Sequence, residues 1–327
     1  MANSDQVKAL IRSHAEGDDA RFYAIAMQVA AQAARSGHAK FAQELRELVD
    51  EAKIRARLLN VPRSKPVPMV QPRGELAGVL TASYPKFRLS EMALDGVVRE
   101  RIDRVLKEQR QRSRIQEHGF VPIRRLLLIG PPGTGKTMTA GVLASELGLP
   151  LFTIQLDGLI TKFMGETAAK LRLIFDAIRQ TRAVYLFDEF DALGTERAVK
   201  NDVGELRRVL NSFLLFLEQD DSDSIMVCAT NYPKLLDRAL FRRFDIVIEY
   251  QLPAREVAED VMRARLALLN TSSVDWRVVL EASDGLSHAE VARACEDAAK
   301  NVILGNRTEV STQDLADALT ERHNTHG

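Results

Sequence analysis

The sequence predicts an α/β protein: a parallel β-sheet covered by helices on both faces, with a small helical bundle before it and a helical unit after it. Three observations carry that expectation. From about residue 76, five short apolar runs occur, "RRLLLIG", "LFTIQL", "AVYLFDEFDA", "SIMVCAT" and "FDIVIEYQL", each separated from the next by a helical repeat. Strands that alternate with helices form parallel sheets buried on both faces, so their strands read as continuous apolar runs. Residues 1–58, and the stretch from "LPAREVAEDVM" to the end, show helical periodicity alone.

In order along the chain, Ser4 can cap a first helix carrying Val7, Leu10 and Ile11, which "EGDDA" ends. A second helix holds Phe22, Ile25, Ala26, Val29 and Ala33 and stops near Gly37; a third holds Phe41, Leu45, Leu48 and Val49. Residues 1–58 thus read as a small helical bundle, marginal by itself. Residues 59–75 contain Pro62, Pro66, Pro68 and Pro72, a density that favours extended chain and marks a linker. The expected divisions are the bundle at 1–58, the linker at 59–75, an α/β domain at 76–253 and a helical lid at 254–327.

Composition narrows the function. The 327 residues are 46% hydrophobic, enough for a sizeable core, and 45 Lys+Arg balance 45 Asp+Glu. A neutral chain is a poor fit to a protein whose main affinity is for nucleic-acid phosphates. The two cysteines, Cys228 and Cys295, have no paired spacing, and the six histidines make no metal-ligand pattern. The N-terminus lacks the apolar stretch of a signal peptide, and no run reaches the roughly 18 apolar residues of a membrane span. The expected location is cytoplasmic.

Between the run "RRLLLIG" and the helical "MTAGVLASELG" stands "GPPGTGKT", Gly130 to Thr137. It fits G-x4-G-K-[ST] in the strand–loop–helix setting that a phosphate-binding P-loop requires. Backbone N–H groups must wrap closely round phosphate oxygens, and side chains at Gly130, Gly133 and Gly135 would obstruct them. Pro131, Pro132 and Thr134 complete the loop. Met138 follows in a helix whose positive end faces the same anion. Lys136 supplies a point charge for the β- and γ-phosphates, and Thr137 a hydroxyl for Mg2+.

The strand "AVYLFDEFDA" ends in Asp188 and Glu189, at the edge where open α/β sheets bind ligands. Asp188 is the expected second Mg2+ ligand with Thr137, and Glu189 the group that polarises the attacking water. Asp191 reads as a cap or subunit contact. "SIMVCATNYP" ends in Asn231, an amide placed to orient the water or sense the γ-phosphate. Arg242 and Arg243 follow, at the end of a short helix and before a strand.

Together these elements resemble an AAA ATPase of the AAA+ class, a P-loop NTPase. The resemblance covers about residues 85–320 and rests on "LLLIGPPGTGKT", "KFMGE", "YLFDEFDAL", "CATNYPKLLDRALFRRFD" and "DGLSHAEVARACEDAA", in that order. It implies a three-layer α/β domain with a helical lid, assembled into a ring, usually a hexamer, that hydrolyses ATP with Mg2+. It also implies that Lys136, Thr137, Asp188, Glu189 and Asn231 act in cis, while Arg242 and Arg243 reach into a neighbour's site. His288 and Ala289 stand where many members have Gly-Ala beside the ribose and base. "LSEMALDGVV" lacks, at the expected place, the glycine-containing adenine contact that members often have.

The function expected is that of a bacterial, protein-remodelling member with a single AAA domain that threads polypeptide through a central pore. "KFMGE" falls where family members project an aromatic into that pore, which makes Phe163 and Met164 the expected grip on substrate; Gly165 is expected to break the helix behind them. A protein substrate or adaptor is expected at residues 1–58, and a partner peptidase is conceivable, although "TERHNTHG" lacks the docking tail of proteasome-type motors. The alternative is a nucleic-acid motor or clamp-loader-like switch. Its support is residues 99–114, "RERIDRVLKEQRQRSR", with seven basic residues against three acids. No aromatics interleave there to stack bases, so nucleic acid is the lesser expectation.

Overall fold

The computed structural model describes residues 26, 27, 29, 30, 43, 76, 78–156, 164–193, 203–235 and 238–326. Two compact units divide the chain, Met1–Pro68 and Met69–Gly327. In the first, Ala26, Met27, Val29 and Ala30 are helical, and Ala26, Val29 and Ala30 are buried, the i, i+3, i+4 spacing of one helix face. Apart from Gln43, which is helical and exposed, the other residues of the expected bundle, and the expected linker at 59–75, lie outside the described residues.

The second unit is built on a six-stranded sheet. Its strands are β1 (Leu80–Ser83), β2 (Arg125–Ile129), β3 (Leu151–Ile154), β4 (Val184–Phe187), β5 (Ile225–Thr230) and β6 (Ile246–Glu249), in the spatial order β1-β3-β4-β5-β2-β6. All five apolar runs are strands, and all pair in parallel. The sixth, β1, pairs antiparallel with β3 at the edge, Leu80 opposite Ile154 and Ser83 opposite Leu151. "LTAS" is short, with only one large apolar side chain, so nothing in its pattern marks a strand; its place comes from the open edge of β3.

Alternation along the parallel strands makes two cores. Leu127, Ile129, Phe152, Ile154, Tyr185, Phe187, Met226 and Cys228 face one way. Against them lie α4 (Met164–Gln180), through Leu171, Ile174, Phe175 and Ile178, and α5 (Val203–Gln219), through Phe213, Leu214 and Leu217. Phe175, Phe187 and Phe190 all meet the ring of Phe213, at centroid distances of 5.6, 5.0 and 4.9 Å, close enough for edge and tilted ring contacts to add to plain burial. Leu126, Leu128, Val184, Leu186, Ile225 and Val227 face the other way. They are covered by α1 (Gly96–Arg110), through Val98, Ile102, Val105 and Leu106, and by α3 (Lys136–Leu147), through Ala140, Val142, Leu143 and Ala144; α2 (Arg112–Glu117) continues from α1.

After α6 (Arg238–Phe241) and β6, four helices follow: α7 (Arg255–Arg265), α8 (Trp276–Ala282), α9 (His288–Leu304) and α10 (Thr312–His326). They have their own core around Met262, Val279, Val291, Cys295, Ala298 and Leu319. Among the described residues no helix is long and apolar enough to cross a membrane.

One helix boundary differs from expectation. Met164 is the first residue of α4, and Gly165 sits inside its first turn instead of breaking it. The following "ETAAK" is made mostly of good helix formers, and a glycine costs only about 1 kcal/mol there. Phe163 lies outside the described residues.

Candidate active site

Parallel pairing brings three strand ends together. Ile129 lies opposite Thr230, and Phe187 opposite Cys228. Gly130, Asp188 and Asn231, each following its strand, therefore share the C-terminal edge of adjacent β2, β5 and β4. The Gly130 N–H donates to Thr230 O at 3.3 Å, holding the loop against β5.

The loop needs its glycines. Gly130, Gly133 and Gly135 have φ of 146°, 74° and 98°, the left-handed range. A Cβ at Gly130 would stand 2.3 Å from Tyr250 O, and one at Gly133 would stand 2.4 Å from Ser287 Oγ and 3.2 Å from the Ala289 Cβ. Gly135 caps α3 with no side-chain acceptor, which leaves the first-turn amides, Met138 among them, open to an anion. Thr134 Oγ1 donates to Pro131 O at 2.8 Å and closes the loop on itself, while Pro132 is exposed on its rim.

Lys136 is buried, and its Nζ donates to Gly130 O at 2.8 Å and Pro131 O at 2.6 Å. Burial lowers its pKa, and the charges of Asp188 and Asp191 oppose that. A desolvated ammonium held by loop carbonyls gains more from an arriving anion than a surface lysine would. Thr137 Oγ1 donates to Asp188 Oδ2 at 2.8 Å, so the two expected cation ligands already touch. Hydroxyl and carboxylate oxygens are the hard donors that suit Mg2+, which keeps several waters and takes one or two protein ligands.

Glu189 is exposed, with φ of 50°, and its N–H donates to Asp188 Oδ1 at 2.9 Å. The left-handed backbone is a strained choice for a glutamate; it turns the chain sharply at the strand end, one residue after Asp188. Asp191 accepts from Thr230 Oγ1 at 2.8 Å and from the Asn231 N–H at 3.3 Å. It is thus the tie between the acidic turn and Asn231, a link that the sequence alone does not display.

His288 and Ala289 open α9 directly over the loop. Ala289 N donates to Gly133 O at 3.0 Å. Ser287 caps α9 reciprocally with Glu290, a Ser-x-x-Glu box legible in "SHAE". Tyr250, unnoticed in the sequence, hydrogen-bonds Thr139 at 2.6 Å through its hydroxyl.

Arg242 and Arg243 are not part of this cluster. They precede β6, which runs parallel to β2 with Leu126 opposite Ile246, so they sit at the strands' N-terminal edge, across the sheet from Gly130. Arg242 is exposed, and Arg243 Nε donates to Glu218 Oε1 at 2.5 Å. Asp245 pins the turn, accepting at 2.9 Å from both Arg124 N and Arg125 N. The buried Arg124 guanidinium pairs with Asp220 and also donates to Ser222 O at 2.8 Å.

The model of the family described as "ATPase family associated with various cellular activities (AAA)" matches residues 126–252. Over 325 residues the chain is 32% identical to the uncharacterized AAA family ATPase y4kL of Sinorhizobium fredii, with 98% of this chain and 96% of that one covered. The chain belongs to the AAA ATPase family. This AAA ATPase is also 35% identical over 202 residues to the ATP-dependent zinc metalloprotease FtsH 1 of Salinibacter ruber, covering 59% of its own length but 29% of that protein's. It is 32% identical over 208 residues to the proteasome-activating nucleotidase of Methanococcus vannielii, covering 62% and 51%. The crystal structure of the FIGL-1 AAA domain has the same fold, with a TM-score of 0.61 at 22% identity over 81% of this chain and 96% of that one. Family and loop together make the chain a nucleotide-binding enzyme that hydrolyses ATP.

Proposed function

We propose that this AAA ATPase is a ring-forming motor, a hexamer in its working state, that uses ATP to remodel or unfold protein substrates. The observation that carries the proposal is the separation of Arg242 and Arg243 from the phosphate loop of their own chain by the length of the β2–β6 strand pair. Arginines that stabilise phosphoryl transfer must touch the transferred group. Across the sheet from their own loop, these serve a second subunit's loop. The likeness to FtsH 1 and to the proteasome-activating nucleotidase supports a protein substrate.

In this reading the loop amides, the first turn of α3 and Lys136 hold the phosphates, and Thr137 and Asp188 hold Mg2+. Mg2+, when bound, neutralises charge on the β- and γ-phosphate oxygens. Glu189 accepts the proton of the attacking water, and Asn231, fixed by Asp191, orients that water. Arg242 of an adjoining subunit meets the charge that develops on the transferred group, and Arg243 is steadied by Glu218. Phe163 and Met164 grip the substrate from the segment that opens α4, and residues 1–58 recruit substrate or adaptor.

The nucleic-acid alternative loses support at α1 and α2. Arg104, Arg110 and Arg112 pair with Glu108, Glu146 and Asp223 at 2.9, 2.6 and 2.8 Å, so much of that basic stretch is engaged within the fold.

Arg242→Ala alone should lose about 10³–10⁵ in turnover, as loss of an arginine finger does in other NTPases. Mixing it with inactive Glu189→Gln should restore part of the activity, because some interfaces then join an intact glutamate to an intact arginine. Steady-state ATPase measured across mixing ratios tests this; a strictly flat profile at the level of the two inactive parents overturns it.

A further inference from the structure

The phosphate loop runs from Gly130 to Gly135, and one residue reaches both of its ends. Tyr250 follows β6 and is 2% exposed. Its N–H donates to Ile129 O at 2.7 Å, so its main chain lies alongside the start of the loop. Its carbonyl oxygen occupies the space that a Cβ on Gly130 would need. Its side chain serves the other end, where the hydroxyl meets Thr139 Oγ1 at 2.6 Å. Thr139 is buried in the first turn of α3, with its Oγ1 3.0 Å from Gly135 O. The same carbonyl accepts the Thr139 N–H at 2.9 Å.

The proton positions follow from the chemistry of the three groups. Gly135 O can only accept, so the Thr139 hydroxyl donates to it, and the Tyr250 hydroxyl donates to Thr139 Oγ1. Burial pushes the Tyr250 hydroxyl up to about 12, which keeps its proton in place near neutral pH. The order Tyr250 to Thr139 to Gly135 uses both hydroxyl protons, and each bond polarises the next. Stability alone does not call for this pair. Phenylalanine and valine have nearly the same shapes, and replacing both partners of a buried hydrogen bond by apolar groups is close to neutral. What the hydroxyls add is a fixed direction at Gly135, the residue directly before Lys136 and Thr137.

We propose that Tyr250 is a positioning residue for the phosphate loop: its main chain at Gly130 and its hydroxyl, acting through Thr139 at Gly135, hold the two ends of the loop at the separation that binds phosphate. The proposal rests on reading the loop as the nucleotide site. It gives the hydroxyl relay a measurable task. A loop whose ends are fixed before the ligand arrives is always ready to bind. A loop freed at Gly135 is ready for only a fraction of the time, and its affinity falls by that fraction. Once phosphates and Mg2+ fill the loop they hold it themselves, so turnover at saturation changes little.

The experiment is calorimetric titration of the full chain, carrying Glu189→Gln to prevent turnover, with ATP and with inorganic tripolyphosphate, each with Mg2+. Tripolyphosphate has no base, so it reports on the loop alone. Tyr250→Phe should weaken both ligands about 3- to 10-fold, the usual effect of one hydrogen bond. Thr139→Val should do the same, and the double variant no more than either alone, because both changes cut one relay. Thr139→Ser keeps the hydroxyl and should bind as the parent does. With Glu189 restored, Tyr250→Phe should raise KM by the same factor as it weakens binding and change kcat less than about 2-fold. Thermal melts without ligand should show the variants folded. Parental affinity in folded Tyr250→Phe and Thr139→Val overturns the proposal whatever their melting temperatures, since the relay then serves the fold alone. Weakened ATP with unchanged tripolyphosphate also overturns it, because the effect then lies at the base. Additive losses in the double variant do the same, since they mark two separate effects. Lys136→Ala is the independent control: tripolyphosphate binding should vanish, and tight binding retained there would sink the phosphate-site reading itself.

Discussion

Lys136, Asp188 and Glu189 differ in what they do, although all stand within one short stretch of sheet edge. Lys136 is buried and bound to loop carbonyls, and in the proposed reading its charge serves binding. Glu189 is exposed at the end of its strand, and in the proposed reading its carboxylate serves the chemistry. Glu189→Gln should therefore bind ATP as the parent does while turnover falls about 10²–10⁴-fold, the usual worth of a general base. Lys136→Ala should lose ATP affinity itself. Equilibrium binding and steady-state turnover of both variants check the division; comparable turnover in Glu189→Gln and the parent contradicts it. The loop and the acidic strand end were legible in the sequence because each is local to a few neighbouring positions. Asp191 was not, because its role is to accept from Thr230 and Asn231, about forty residues further along the chain and joined to it only by the β4–β5 pairing.

At the level of elements, five strands could be read because parallel strands buried on both faces must be apolar throughout. The edge strand β1 escaped, since an edge asks for little of its side chains. The same holds for the seam of Arg124, Asp220, Asp245, Arg243 and Glu218, which joins the starts of β2 and β6 to the end of α5. Each of these residues is unremarkable in its own stretch of sequence, and Arg124 meets Asp220 and Asp245 only through the crossovers. Breaking a buried ion pair costs about 3–5 kcal/mol, because one charge is left stranded. Arg124→Met should thus lower the melting temperature by roughly 10 °C, and a melt within about 2 °C of the parent would show the pair dispensable. The proposed grip makes a contrasting case: if Phe163 serves the substrate, Phe163→Ala should leave the melt and the basal ATPase near parental values and abolish unfolding of a protein substrate. Intact substrate processing by that variant would remove Phe163 from the gripping role.

On the scale of the whole molecule, the α/β layers and the four-helix unit form one compact body, Met69–Gly327, and every residue assigned to the chemistry lies within it. A shortened chain beginning at Gly74 should keep basal ATPase activity and lose substrate recruitment. Measuring both on the same preparation separates a recruiting role for residues 1–58 from a structural one, which would take the ATPase down as well. Specific activity of the full chain should fall on dilution, whereas a stable monomer with full turnover would refute the shared site. The sheet that puts the phosphate loop on one edge and Arg242 on the other also sets an arithmetic. If Arg242 completes a neighbour's site as proposed, each subunit offers half a working site at each of two faces, an open row of subunits has one site fewer than it has members, and a lone subunit has none. Only closure makes the two counts equal. Turnover per subunit then becomes a gauge of how many ends are left unjoined, rising with each addition to the row and levelling when no end remains.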